Sequence, residues 1–154
     1  MEQSPVALAH ILESVRPDLE KVELEFERHL RAHVGLIPEI GSYLQASGGK
    51  RVRPAVLLMT ARLCGYTGEL AVLYAGAVEF IHTATLLHDD VVDGSTLRRG
   101  RATANESFGN PASVLVGDFL YSRAFQMMVD VGDMRIMQIL ANATNVIAEG
   151  EVLQ

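Results

Sequence analysis

With 154 residues, 49% of them hydrophobic, the chain has the length of about one domain and enough apolar content for a sizeable core. Its net charge of −6 argues against nonspecific nucleic-acid binding as a main role, and a single cysteine, Cys64, excludes a disulfide framework and points to the reducing cytosol. The amino terminus lacks a basic stretch followed by a long apolar run. No segment approaches the roughly 20 apolar residues that span a bilayer, so membrane contact is expected to be peripheral at most.

Strand alternation is not evident anywhere, and the turn signals divide the chain into helical segments, so the expected architecture is all-α. From about Ser4 to His33, apolar residues such as Leu8, Ile11, Leu12, Val15, Leu19 and Val22 recur at helical spacing, with a break or kink expected at Pro17. A shorter helix is expected over about Pro38 to Ala46, ending at Ser47-Gly48-Gly49. The next is expected from about Pro54 to Leu63, with proline in its first turn and a stop at Gly65. Cys64 lies in this apolar helical context and reads as a buried small hydrophobe.

The central helix is expected over about Glu69 to Asp93, with Leu70, Leu73, Ala77, Phe80, Ile81, Ala84, Leu87 and Val91 as its broad apolar face and Gly94 as its terminator. Thr103 to Phe108 reads as at most a short turn, and Pro111 to Val131 as another helix. Asp133 is expected to cap a last helix that runs to Gln154. The chain closes inside an apolar-periodic run, which leads to the expectation of a fragment.

The segment His88-Asp89-Asp90-Val91-Val92-Asp93-Gly94 carries the strongest chemical signal. Acidic groups in a last helical turn face the negative end of the helix dipole, and Asp89 repels Asp93 at i,i+4, so each effect is unfavourable by roughly a few tenths to 1 kcal/mol. A cation is therefore expected there. Mg2+ is the natural choice, because it takes oxygen ligands, uses one or two carboxylates and fills its other positions with water and phosphate. His82, Asp89 and Asp93 fall within roughly 60° of one another on a helix, whereas Asp90 points about 100° away from Asp89 and is given no metal role.

Six of the thirteen Lys and Arg residues fall in two short segments, Lys50-Arg51-Val52-Arg53 and Arg98-Arg99-Gly100-Arg101. Two dense basic patches in an acidic chain suggest a compact, strongly anionic ligand. In Gly48-Gly49-Lys50-Arg51-Val52-Arg53-Pro54, two glycines free to adopt positive φ precede a helix N-terminus, an arrangement suited to phosphate. Arg53 precedes proline and is expected outside the α region. The spacing is not that of a P-loop. Apolar neighbours on the central helix suggest that the phosphate carrier has a greasy tail.

Taken together and in order, Gly48 to Pro54, Glu79 to Asp93, Arg98-Arg99-Gly100, Gly117-Asp118-Phe119-Leu120 and Glu149 to Gln154 resemble the N-terminal half of the trans-polyprenyl diphosphate synthases, nearest to the bacterial octaprenyl group. The resemblance implies half of the isoprenoid synthase helical bundle over residues 1–154, with the first aspartate-rich motif present and the second missing. It implies head-to-tail condensation of isopentenyl diphosphate onto an allylic diphosphate such as farnesyl diphosphate. Asp89 and Asp93 are then the Mg2+ ligands, and Arg98 contacts the allylic diphosphate. Lys50, Arg53, His82 and Arg99 serve isopentenyl diphosphate. Small residues at Ala84 and Thr85 would leave an apolar product tunnel open, with Met127 and Met128 at its far end or simply in the core. A homodimer is expected from the family, and the fragment is expected to turn over little by itself. The alternative is a non-catalytic helical subunit that binds diphosphate or regulates a heteromeric prenyltransferase.

Overall fold

The computed structural model describes residues 8–153, and the expected helical start at Ser4 lies outside them. Eight helices follow in order among these residues: α1 (Leu8–Glu13), α2 (Arg16–His29), α3 (Leu36–Ala46), α4 (Val52–Leu63), α5 (Leu70–Val92), α6 (Ala104–Phe108), α7 (Asn110–Val131) and α8 (Met134–Leu153). Between α5 and α6 two short strands, β1 (Leu97–Arg98) and β2 (Arg101–Ala102), form an antiparallel hairpin. The all-α expectation holds, and this small hairpin is the one departure from it. The chain divides into two compact units, residues 1–79 and 80–154.

In the first unit, Val15, Val22, Ala55, Leu58, Val72 and Ala75 form one buried cluster. They come from α2, α4 and α5 and from the residue before α2. Burying each Val or Leu side chain contributes about 1.5–3 kcal/mol, and Phe26, Leu30 and Ile40 are buried in the same unit besides. The expected break near Pro17 occurs two residues earlier, at Val15, which leaves the helical region (φ −113°, ψ 6°) while Pro17 sits in the first turn of α2. Proline is tolerated there because that N–H would have no intrahelical partner.

Helix α4 begins at Val52 rather than Pro54, so Arg53 is helical after all. Pro54 still lies within the first turn, where its missing N–H breaks no intrahelical bond, and the mild steric bias on the preceding residue is overridden. The helix stops as expected, with Gly65 at φ 76° and the Tyr66 amide donating to Ala61 O over 2.9 Å. Cys64 contradicts its sequence reading. It is a free, exposed thiol, because it caps α4 outside the face that meets the core.

Helix α5 also corrects an expectation. Its 23 residues are long and apolar enough to cross a membrane by length and composition alone. They serve instead as a core rod: 61% of the most apolar stretch is buried inside the protein.

In the second unit, Phe80, Ala84 and Leu87 of α5 are fully buried, as are Leu120 and Ala124 of α7. Met127 and Met128 are also buried, each only 1% exposed, which places both in the core. Ser113 Oγ donates to Leu87 O over 3.3 Å and ties α7 to α5. Asp133 caps α8 as expected: its Oδ1 accepts from the amides of Arg135 (3.0 Å) and Ile136 (3.4 Å).

Candidate functional site

The end of α5 gathers charge within the second unit. Asp89 is half-buried, Asp93 is exposed, and the helix closes with the Asp93 amide donating to Asp89 O over 2.8 Å before Gly94 turns the chain at φ 62°. Burial first, and then the negative potential of Glu151 and Asp93, raises the Asp89 carboxyl above the usual carboxylate range. Glu151 lies near the end of α8, so a third carboxylate adds its field to the pair read from the sequence. This excess of negative charge is the condition that a bound cation relieves.

Arg98 is brought to the same place, and its charge partly offsets Asp89. Its guanidinium is held by Asp90, which is 3% exposed: Nη2 donates to Oδ1 at 2.8 Å, and Nε donates to Oδ1 and Oδ2 at 3.3 and 3.2 Å. The hydrogen bonds to Asp90 raise the Arg98 pKa above its already high normal value. Asp90, turned about 100° from Asp89 around the helix, is therefore the residue that fixes an arginine and leaves the Nη1 edge for another acceptor. Sequence reading set Asp90 aside. The signal was the eight-residue interval to Arg98 across the Gly94 turn.

The loop that returns Arg98 to Asp90 is the β1–β2 hairpin, with Leu97 opposite Ala102 and Arg98 opposite Arg101. Arg99 and Gly100 occupy its two-residue turn at φ 52° and 77°, the positive values that a type I′ turn requires at both central positions. Arg99 thus sits exposed at the tip. The base of the loop is pinned at Ser95 O, which accepts from Thr103 Oγ1 (2.8 Å) and Asn105 Nδ2 (3.0 Å).

Among the described residues, no group of three or more His, Cys, Asp or Glu side chains is placed to hold a metal ion as a protein cage. A hard divalent cation needs no such cage, since one or two carboxylates suffice when water and phosphate oxygens complete the shell. Asp89 and Asp93, with an Asp89 carboxyl whose charged state is already disfavoured, fit that requirement.

Lys50 and Arg53 belong to the first unit and both are exposed; Arg53 is engaged in further interactions there. Gly48 has the expected positive φ of 71°, but the second left-handed residue is Arg51 (φ 46°, ψ 37°) rather than Gly49. A non-glycine residue in that region costs roughly 1–2 kcal/mol. Arg51 is held there by carboxylates from two helices. Its Nη1 donates to Glu79 Oε1 at 2.9 Å, its Nη2 donates to Glu23 Oε2 at 3.1 Å, and its Nε bonds to Glu23 Oε1. Gln45 of α3 also donates to Glu23, over 3.3 Å. Burial raises the Glu79 carboxyl above the usual range, with Arg51 opposing the shift. Burial likewise works against the Arg51 charge, but the two glutamates outweigh it and hold its pKa above the normal value.

His82 lies on α5 seven residues before Asp89, about 10 Å along the helix axis, half-buried and engaged in interactions of its own. Thr85 Oγ1 donates to His82 O over 2.8 Å, and Ala84 is fully buried. His88, which the sequence reading left unassigned, packs on α7. Its Nε2 is 3.2 Å from both Val114 O and Asp118 Oδ1. A Cβ at Gly117 would stand 2.4 Å from that nitrogen, so glycine is what admits the ring.

The structure therefore brings Asp89, Asp93 and Arg98 together in the second unit, which also contains His82 and Arg99; Lys50 and Arg53 lie in the first. Residues 34–154 match the model of the polyprenyl synthetase family. The chain is 52% identical over 147 residues to octaprenyl diphosphate synthase from Escherichia coli (strain K12), covering 96% of this chain and 46% of that protein. A solved decaprenyl diphosphate synthase from Rhodobacter capsulatus superposes with a TM-score of 0.93 at 52% identity, over 96% of this chain and 46% of that one. A polyprenyl synthase from Caulobacter crescentus CB15, solved with calcium and isoprenyl diphosphate, gives 0.94 at 46% identity, over 99% and 46%. The chain spans about half the length of the relatives it matches. With its motifs in order and its helices superposing on theirs, this chain belongs to the polyprenyl synthetase family.

Proposed function

We propose that this chain carries the first aspartate-rich motif and the isopentenyl-diphosphate groups of a long-chain trans-polyprenyl diphosphate synthase, of the octaprenyl type, which condenses isopentenyl diphosphate with an allylic diphosphate such as farnesyl diphosphate. The observation that carries this reading is the end of α5, where Asp89 and Asp93 stand beside an arginine that Asp90 holds in place. A solved relative holding calcium and isoprenyl diphosphate supports divalent-metal use. Here the metal would be Mg2+.

Asp89 and Asp93 would hold Mg2+, which when bound neutralises charge on a departing diphosphate. Arg98 presents its outer guanidinium edge to the same anion, and because Asp90 fixes that edge beforehand, little reorganisation is needed as the carbon–oxygen bond breaks and the electron pair leaves with diphosphate. The double bond of isopentenyl diphosphate then attacks the allylic carbon, and a proton is lost. Lys50, Arg53, His82 and Arg99 are assigned to isopentenyl diphosphate. The exposed thiol of Cys64 supports a reducing compartment, the cytosol. A homodimer is what the family resemblance implies, and sedimentation tests it; the exposed apolar residues Ile139, Val146 and Ile147 of α8 would also drive non-native association.

The activity test uses radiolabelled isopentenyl diphosphate, farnesyl diphosphate and Mg2+. It compares this chain with a fusion that continues past Gln154 into the remaining half of the Escherichia coli relative. Long-chain product from the fusion, and its loss in Asp89→Ala, is the expected result. A folded fusion that makes no product overturns the assignment.

A further inference from the structure

We propose that Arg51 is not a ligand of the anion but the anchor that orients the cationic turn 48–53, with Glu23 and Glu79 as positioning residues that act through it. The proposal rests on the reading of that turn as a diphosphate site. Of the cations in Lys50-Arg51-Val52-Arg53, Arg51 alone has a mostly buried side chain, 20% exposed, whereas Lys50 and Arg53 are exposed residues. All three of its guanidinium nitrogens are bonded to carboxylates: Nη1 to Glu79, and Nε and Nη2 to Glu23. Three of its five N–H donors are thereby committed to carboxylates, and with the side chain only 20% exposed the remainder is poorly placed to reach phosphate.

Its backbone supports the same conclusion. Arg51 is the residue before α4 and has left-handed φ and ψ, a conformation in which glycine would sit without steric cost. A residue present only to make the turn would therefore be glycine. An arginine there, tied to α2 through Glu23 and to α5 through Glu79, fixes how the segment enters α4. That sets where the flanking Lys50 and Arg53 project. The carboxylate pair also holds the arginine charge inside the fold, leaving the exposed cations to face the ligand.

The test is calorimetric titration of this chain with inorganic pyrophosphate in EDTA, which leaves the cationic groups alone to respond. Arg51→Gly keeps the turn and removes the anchor. It is expected to weaken binding about tenfold or more while the far-ultraviolet dichroism stays that of the wild type. Arg51→Lys, which keeps charge but loses the fork, should weaken binding too, and Glu79→Gln, which keeps an acceptor oxygen for Nη1, should weaken it less. These two variants carry the test if the glycine variant fails to fold. Because the anchor acts through its neighbours, Arg51→Gly in a Lys50→Ala background should cost less than in the wild type. Wild-type binding with Arg51→Gly and Arg51→Lys unchanged, or losses that multiply fully with Lys50→Ala, overturns the anchoring role alone. A wild-type chain that takes up no pyrophosphate overturns the anion-site reading and the anchor with it.

Discussion

Asp89 and Asp90 are adjacent in sequence, and their replacement by asparagine is expected to move stability in opposite directions. In Asp90→Asn the side chain keeps its shape, but one acceptor oxygen becomes an amide NH2 facing a guanidinium that donates over 2.8–3.3 Å. Charge-assisted hydrogen bonds contribute about 1.5–3 kcal/mol, and breaking a fully buried pair costs more. Arg98, however, has a side chain 37% exposed and regains water. The net cost is therefore about 2 kcal/mol, or a fall in Tm of about 4–8 °C for a chain of this size. Asp89→Asn removes a charge that opposes both the helix dipole and Asp93. It should gain about 0.5–1 kcal/mol and raise Tm by about 1–4 °C at low salt without divalent ions. Thermal melts followed by dichroism at 222 nm in EDTA measure both. If Asp90→Asn melts with or above the wild type, or Asp89→Asn melts well below it, the division of labour between clamp and cation site is wrong.

Mg2+ at about 100 times its Kd should stabilise the wild type by about 2.7 kcal/mol, and a thermal shift retained in Asp89→Ala would remove that residue as a ligand. Gly117→Ala places a Cβ 2.4 Å from His88 Nε2, so the ring must swing out and give up its 3.2 Å bond to Val114 O, costing about 1 kcal/mol. The check is a lower Tm together with displaced His88 imidazole resonances, and unchanged resonances would refute it. Hydrogen bonds from the Arg135 side chain and amide hold the Asp133 carboxyl below its usual value of 3.8. Its folded pKa lies below its unfolded one, so the stabilisation it supplies is present above pH 3.8 and lost as pH falls through the folded value. Asp133→Ala should therefore lower Tm near neutrality, with the gap to the wild type closing in acid. A gap independent of pH would show that the carboxylate charge is not what caps α8.

Helix period and punctuation made most of the architecture readable. Gly94 and Gly65 ended their helices, Asp133 began one, and Asp89 and Asp93 stood out because their charge has the wrong sign for a helix end. What escaped were features made by contacts distant in sequence. Asp90 was set aside on angular grounds, yet a hairpin too short for an alternation pattern folds Arg98 back onto it. Arg51 was counted with its neighbours as part of an anion-binding basic patch, because its partners Glu23 and Glu79 are each 28 residues away. Cys64 was misjudged because apolar neighbours in sequence say nothing about which side of a cap residue meets solvent.

The solvent-facing sulfur at the close of α4 bears on how assembly is measured. With one thiol per polypeptide and none nearby to pair with internally, air oxidation can join only two separate molecules, each at position 64. Such cross-linked pairs would sediment at twice the monomer mass whatever the affinity of the helical surfaces. A reductant, or a Cys64→Ser variant, therefore decides whether a dimer band reports packing or covalent bonding.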